Sequence, residues 1–487
     1  MPPRDDEQTA ARLDPNDPRS FLGSFRPYLK WSMLAMLLLG FASGLPLMMV
    51  FSKLSFWLRE IGIDRATIGG FYSVSLAYSL KFLWAPVVDR LRLPGLSVLG
   101  QRRSWMLLAT LGTALGLTLI GLSNPAEDLT LTLVGAFVLA YAGATLDISV
   151  DAWRIESAAD DEQANMAAVY ILGYRLAIMF AGVGMIIAAR SSWMVSYLIM
   201  AMAMALIAAL ILLIKEPERS EDDNALPSWG AAVQAAIVQP FSQIVHRFRW
   251  WVAPVLLLVA IYRLSDFTMG TMASPFYADL GYDKETVGVI TGLFGPWPIV
   301  FGGFLGGWVA VRFKLMPALL LGAVITFLTN GAFAALAIAA GPNLDLAAQG
   351  AEVVVNTPSN TFLLIVIVAD NLAGGYVGTV FVAYLSSLTQ REFAATQYAL
   401  FSSAYSFFCK LMASTTSGPL AETVGWTNFY LITATYALPS MVLIVAFMRY
   451  APDIARGIEP PEDDTPQEPP PRTNHDTPAS NVNRRLK

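Results

Sequence analysis

Charge is what this chain lacks. Only 14% of its 487 residues are Asp, Glu, Lys or Arg, where a soluble domain carries about 25%. With 55% hydrophobic residues and a mean hydropathy of +0.52, a soluble fold of this size could not cover its surface, and the composition is that of a polytopic membrane protein. Cysteine is nearly absent, and Cys409 alone excludes an intrachain disulfide. The two histidines, His246 and His475, have no other metal-ligating residue clustered with them, so neither a zinc site nor any cofactor is expected. No G-x-x-x-x-G-K-S/T string occurs, which argues against ATP as the energy source. No basic patch interleaved with aromatics occurs either, which excludes a nucleic-acid partner. Residues 1–30 lack an apolar core after a basic start and do not read as a signal peptide.

What remains is a series of apolar runs long enough to cross about 30 Å of hydrocarbon. They are expected at 33–52, 68–88, 104–122, 129–150, 167–189, 192–214, 251–273, 286–311, 315–340, 361–388, 396–420 and 425–449, and are numbered spans 1 to 12. The division between spans 5 and 6 rests on Arg190-Ser191-Ser192. A polar tail, 1–32, precedes an N-terminal half, 33–214. A central loop, 215–250, leads to a C-terminal half, 251–449. The second part of that loop, 230–250, has the pattern of an amphipathic helix on the membrane surface or of a plain connector. The last segment, 450–487, holds eight prolines from Pro452 onward and almost no apolar residues, and is expected to be disordered.

Lysine and arginine set the orientation. With the N-terminus in the cytoplasm, the inner loops and tails carry 23 of them and the outer loops only five: Lys53, Arg59, Arg65, Arg190 and Lys284. Both termini are therefore expected in the cytoplasm. Six spans, a cytoplasmic loop and six more spans form the layout of the major facilitator superfamily, an all-α fold of two six-helix bundles with the substrate site between them near mid-membrane. A faint internal echo supports two repeats: Asp89-Arg90 and Arg102-Arg103 between spans 2 and 3, against Arg312 and Lys314 between spans 8 and 9.

Eight charges fall inside spans: Lys81, Asp147, Asp151, Arg175, Arg263, Asp266, Asp370 and Lys410. Each costs about 2.5–3.5 kcal/mol at the centre of a spanning helix, so each needs a partner or a wet cavity. At 1.5 Å per residue, Arg263 lies roughly 18 Å from the inner face, Arg175 roughly 15 Å from it and Asp370 roughly 14 Å from the outer face. Asp266 follows Arg263 at i+3, on the same side. These four are expected to converge on the midplane. Asp147 and Asp151 share a face of span 4 at i, i+4. Arginines at mid-depth suit an anionic ligand held in bidentate fashion. Aspartates beside them can exchange protons with either side of the membrane, the means by which a proton gradient drives transport.

Several strings carry a resemblance. Gly40-Phe41-Ala42-Ser43-Gly44-Leu45-Pro46 lies in span 1, Lys81-Phe82-Leu83-Trp84-Ala85-Pro86-Val87-Val88-Asp89-Arg90 closes span 2, and Asp147-Ile148-Ser149-Val150-Asp151-Ala152-Trp153 closes span 4. Leu172-Gly173-Tyr174-Arg175 lies in span 5, Tyr262-Arg263-Leu264-Ser265-Asp266 in span 7, and Ala394-Ala395-Thr396-Gln397-Tyr398-Ala399-Leu400 opens span 11. In this order, from about residue 38 to about 449, the chain resembles the AmpG family of muropeptide permeases. The resemblance implies a proton-driven importer of anhydro-muropeptides, the sugar–peptide anions of peptidoglycan turnover, in a bacterial inner membrane. In some species such import also governs β-lactamase induction. It implies proton coupling at Asp147, Asp151, Asp266 and Asp370, and substrate binding at Lys81, Tyr174, Arg175, Arg263 and Asn371. Asp89, Arg90, Arg102 and Arg103 are expected to form an inner gate between the halves. Arg263 stands where the family usually has Lys, Asp370 where it usually has Glu, and Leu146 where it often has Gln, a change expected to remove a sugar hydrogen bond. The chain is expected to act as a monomer and not as an enzyme. The alternatives are an importer of another bulky anion, such as a siderophore or an acetyl-CoA-like compound, and a non-transporting assembly factor on the same fold.

Overall fold

A computed structural model describes residues 30–157, 163–217, 249–349, 351–389 and 394–450. The polar tails and the expected amphipathic helix of the central loop lie outside these residues, apart from their edges. The described chain is helical, with no strand. Span 1 is Trp31–Glu60, span 3 Gln101–Leu122, span 4 Thr130–Ser157, span 5 Gln163–Arg190 and span 6 Trp193–Ile211. Span 7 is Val252–Asp279, span 8 Lys284–Phe313, span 9 Leu315–Ala340 and span 10 Asn360–Ser387. Span 11 begins at Ala394 and passes into span 12 through Gly425, whose φ of 77° turns the chain back toward Tyr450. Arg190 ends span 5, and the Ser192 hydroxyl accepts from the Val195 amide to open span 6.

Span 2 departs from the expected continuous helix over 68–88. It runs from Arg65 to Arg90 as short pieces, with 3₁₀ turns at Tyr72–Ser75 and Lys81–Leu83. Pro86 stands in the first turn of the last piece, Ala85–Arg90, where the missing N–H is tolerated. Span 7 is interrupted as well: Val252–Ile261 and Leu264–Asp279 meet at Arg263, with φ −104° and ψ 6°. Interrupted spanning helices are common at transporter binding sites because they free backbone polar groups toward a cavity. The second turn of span 2 and the break in span 7 each fall on an intramembrane cation, Lys81 and Arg263.

The two halves repeat one motif. Gly62-Ile63-Asp64-Arg65-Ala66-Thr67-Ile68-Gly69 joins span 1 to span 2, and Gly281-Tyr282-Asp283-Lys284-Glu285-Thr286-Val287-Gly288 joins span 7 to span 8. Gly62 and Gly281 have φ of 89° and 79°, the left-handed region that glycine enters without a Cβ clash. Asp64 and Asp283 then cap the next helix, each accepting from the amide and hydroxyl of the threonine three residues on. This repeat is more specific than the loop charges that hinted at it.

The halves meet along several helix pairs, three of them at small residues. Span 1 touches span 7 through Ser52 and Ser274, 3.0 Å apart. Span 2 touches span 11 through Ser79 and Ser406, 2.8 Å apart. Span 5 lies against span 8 so closely that a Cβ on Gly182 would come 2.6 Å from the Gly292 Cα; glycine there permits backbone-to-backbone contact.

Candidate functional site

The intramembrane charges form two groups. In the C-terminal half, Arg263 at the break in span 7 donates from Nε to Asp266 Oδ2 at 3.2 Å. Asp266 lies in the first turn of the segment that follows, where the helix dipole favours a negative charge. That segment is fixed from behind: the Ser265 hydroxyl donates to the Thr433 carbonyl at 2.6 Å and accepts from Asn330 Nδ2 at 2.6 Å. The Tyr262 hydroxyl donates to the Leu319 carbonyl at 2.9 Å. Asp370 of span 10 lies within electrostatic reach of Asp266 and Arg263, yet forms no ion pair or hydrogen bond among the described residues. One guanidinium thus serves two carboxylates. Asn371 is turned toward span 8, where its Nδ2 would lie 3.1 Å from a Cβ on Gly295.

In the N-terminal half, Lys81 Nζ stands 3.6 Å from Asp147 Oδ2. These side chains remain 33% and 18% accessible, too much for charges packed in apolar core and untenable against lipid, so they border a wet space between the halves. Tyr174 lies beside Asp147. Asp151 is outside this pair: at 49% exposure it faces Arg154, 3.9 Å away on the same helix. Arg175 has Tyr174 beside it and no ion-pair partner among the described residues, and its buried Nε has no hydrogen bond. An Asp147–Arg175 pair is not formed. Of the four residues expected to converge at mid-depth, Arg263, Asp266 and Asp370 come together, and no described contact joins Arg175 to them. Leu146, expected to stand where a sugar contact was lost, is fully buried in the core, so in this conformation the substitution removes nothing from the ligand space.

Three of the residues expected to form the inner gate, Asp89, Arg102 and Arg103, lie in one cluster within the N-terminal half. Arg102, 4% exposed, donates to Asp89 Oδ1 at 2.6 Å and to both Glu156 oxygens at 2.6 and 3.0 Å. Glu216 accepts from the Arg102 and Arg103 amides at 2.7 and 2.9 Å, and Arg103 donates to the Leu212 carbonyl. The side chain of Arg90 lies outside the described residues. The partners named here belong to spans 2, 3 and 4 and to the stretch just after span 6.

The crossing contacts stand at the opposite end, called the outer end here after the orientation expected from the loop charges, on residues first read as loop charges. Asp279, at the end of span 7, pairs with Arg59 and with Arg65, the latter at 3.1 Å, and accepts from Trp426 Nε1 at 2.8 Å. Arg65 is 1% exposed, lies 4.4 Å over the Trp426 ring and approaches Asp345 at 3.6 Å. Asp345 comes from the short helix Asn343–Ala348 in the outer loop before span 10. Reciprocally, Lys284 of span 8 pairs with Glu60 of span 1 at 2.8 Å. The shared motif would have exposed this: Glu60 and Asp279 each precede the turn glycine by two residues, and Arg65 and Lys284 each follow the capping aspartate.

The chain matches the model of the Major Facilitator Superfamily over residues 33–351. The putative transporter AmpG 4 of Rickettsia conorii is 33% identical to it over 414 residues, 84% of this chain and 94% of that protein. The anhydromuropeptide permease of Escherichia coli K12 is 31% identical over 412 residues, covering 84% and 78% of the two chains. Among solved structures, a bacterial homologue of the human lysosomal transporter Spinster, inward-facing and occupied, has a TM-score of 0.63 over 90% of this chain and 100% of its own, at 14% identity. A POT peptide transporter in complex with sulfate has a TM-score of 0.65 over 88% and 96%, at 11% identity. These two likenesses establish the fold, while the sequence relatives are transporters rather than enzymes. Matched by the superfamily's model from span 1 into the loop after span 9, and 33% identical to an AmpG protein across most of both chains, this multi-pass membrane protein belongs to the AmpG family of the major facilitator superfamily.

Proposed function

We propose that the protein imports anhydro-muropeptides across a bacterial inner membrane, coupled to protons, with both termini in the cytoplasm. The observation that carries the coupling is the Arg263–Asp266 pair with Asp370 beside it and without a partner of its own. Two carboxylates against one guanidinium leave a negative charge uncompensated in a medium of low dielectric. A proton arriving from the outer side neutralises it, and release of that proton inside restores it. The ligand class follows from the E. coli relative's name, and it agrees with the cations Lys81, Arg175 and Arg263, which suit the carboxylates of a peptide stem. In this reading the described conformation is the inward-open one. Its outer end is held by ion pairs that cross the halves, and Arg102 is paired within the N-terminal half. Tyr174 and Asn371 contribute hydrogen bonds to the ligand, and Asp147 and Asp151 take part in proton exchange.

The test is complementation in a Gram-negative strain deleted for its muropeptide permease. Expression of this chain should stop the loss of anhydro-muropeptides to the medium. Asp266→Asn should abolish accumulation against a gradient while leaving exchange of ligand across the membrane largely intact. Continued loss to the medium, with siderophore uptake supported in parallel, would replace the muropeptide reading by another bulky anion. Normal accumulation by Asp266→Asn at wild-type protein level would remove that residue from coupling.

A further inference from the structure

Lys410 lies near the middle of span 11, fifteen residues before the turn at Gly425. It belongs to the C-terminal half, but its charge faces the other one. Its ammonium sits 5.7 Å from the centre of the Tyr78 ring on span 2, and Lys81 and Asp147 are its charged neighbours. Among the described residues it has no carboxylate within ion-pair distance, since Asp147 is already held by Lys81 at 3.6 Å and Asp151 faces Arg154. Two lysines therefore share one carboxylate, and the group carries one positive charge in excess. Beside it, Tyr78 Oη is a buried oxygen with no hydrogen-bond partner, and Ser43 lies against Asp147. An unpaired lysine at this depth is expensive to keep, and an aromatic face offsets only part of that expense. The C-terminal group is the converse, with Asp266 and Asp370 against Arg263, one negative charge in excess.

We propose that Lys410 is a substrate-binding residue: with Lys81 it forms a two-lysine clamp, one lysine from each half, that takes a carboxylate of the ligand. Asp147 is the counter-ion of the clamp when it is empty. A carboxylate placed between the lysines satisfies the excess charge and gives the buried hydroxyl of Tyr78 an acceptor. Because the lysines ride on different halves, the ligand's anion bridges the two bodies that move against each other, so binding is coupled to their relative position. The clamp deepens the transport reading above by naming which ligand group is held and where.

Two arms test it. In the first, detergent-solubilised wild type, Lys410→Met and Lys410→Arg are titrated with glutarate, and thermal unfolding is followed. Wild type should be stabilised in a concentration-dependent way. Lys410→Met should weaken the apparent affinity roughly tenfold or more, the scale of one charge-assisted hydrogen bond, and Lys410→Arg should stay within about threefold. In the second, proteoliposomes take up a disaccharide–peptide muropeptide or its carboxyl-amidated form. Lys410→Met should lose uptake of the first and change uptake of the second little. Absence of any glutarate effect on wild type overturns the clamp. So does equal loss of both muropeptides in a Lys410→Met protein that unfolds at the wild-type temperature, because that behaviour marks a structural lysine. If the anion response holds while no muropeptide is taken up, the clamp stands and the muropeptide reading falls.

Discussion

At the end of the molecule expected to face outward, acids and bases pair across the two halves; at the other end, Arg102 pairs within one. Asp279 gathers Arg59, Arg65 and Trp426, and only Asp279 and Trp426 of these belong to the C-terminal half. Arg102 gathers Asp89 and Glu156, all from the N-terminal half. Burial differs as well. The Arg65–Asp279 side chains are 1% and 6% exposed, whereas Asp89 is 43% exposed. An ion pair that crosses the seam and is shielded from water adds directly to the free-energy difference between conformations. One that stays inside a single rigid body holds that body together and leaves the balance untouched. The outer pairs therefore select this state, and the Arg102 cluster holds its own half together.

The largest effect should come from Asp279→Asn. Removing one partner of a buried pair costs about 3–5 kcal/mol, here charged to the outer-closed state alone. In a Cys409→Ala background, a cysteine replacing Ser274, just beneath these pairs, should react with a membrane-impermeant maleimide more than tenfold faster when Asp279→Asn is added. An unchanged rate would mean that packing, not charge, closes the outer end. A smaller effect is expected at the duplicated caps. Asp64→Ala and Asp283→Ala should each lower stability by about 1 kcal/mol, read as thermal unfolding, and by similar amounts if the two motifs are equivalent. Partial burial works against ionisation of these carboxylates, but the hydrogen bonds from Thr67 and Thr286 outweigh it and hold both below the ordinary 3.8. Their contribution is thus complete above that value and disappears as pH falls through the lower folded-state value. The double alanine variant should lose less stability than wild type on acidification below about pH 4. The smallest effect belongs to Glu60→Gln. The Glu60–Lys284 pair is 34% and 22% exposed, worth about 0.2–1 kcal/mol, so labelling should rise only severalfold. One molar salt should reproduce that rise while leaving the Asp279 pairs largely unscreened. A large salt effect on wild type would reverse the ranking of the two pairs.

The spans were legible because hydrocarbon demands long apolar helices and the chain supplies them. Rotation about the helix axis was not. Arg175 and Arg263 are both expected near mid-depth, yet Arg175 stands beside Tyr174 while Arg263 meets Asp266. Span 2 read as a continuous helix because hydropathy reports the apolar average and is blind to 3₁₀ turns. Arg59, Arg65 and Lys284 read as loop charges because a positive residue at a membrane edge is ordinarily solvated. Their burial depends on acids more than 200 residues away, which no local pattern reports. The repeat Gly-x-Asp-basic-x-Thr-aliphatic-Gly was the signal that could have paired them, because it places each base opposite the acid before the other turn.

That repeat has a thermodynamic corollary. Each half supplies one acid and one base, and each base closes on the other half's acid, so a rotation that separates the bodies must break both connections in the same stroke. Their free energies then enter a single equilibrium constant instead of two successive ones. A conformer with one connection broken and the other intact keeps the strain of opening without its freedom, and it stays sparsely populated. Duplicating one ten-residue segment, 60–69 and 279–288, thereby gives the outer end an all-or-none character that a single ion pair of the same total strength would lack.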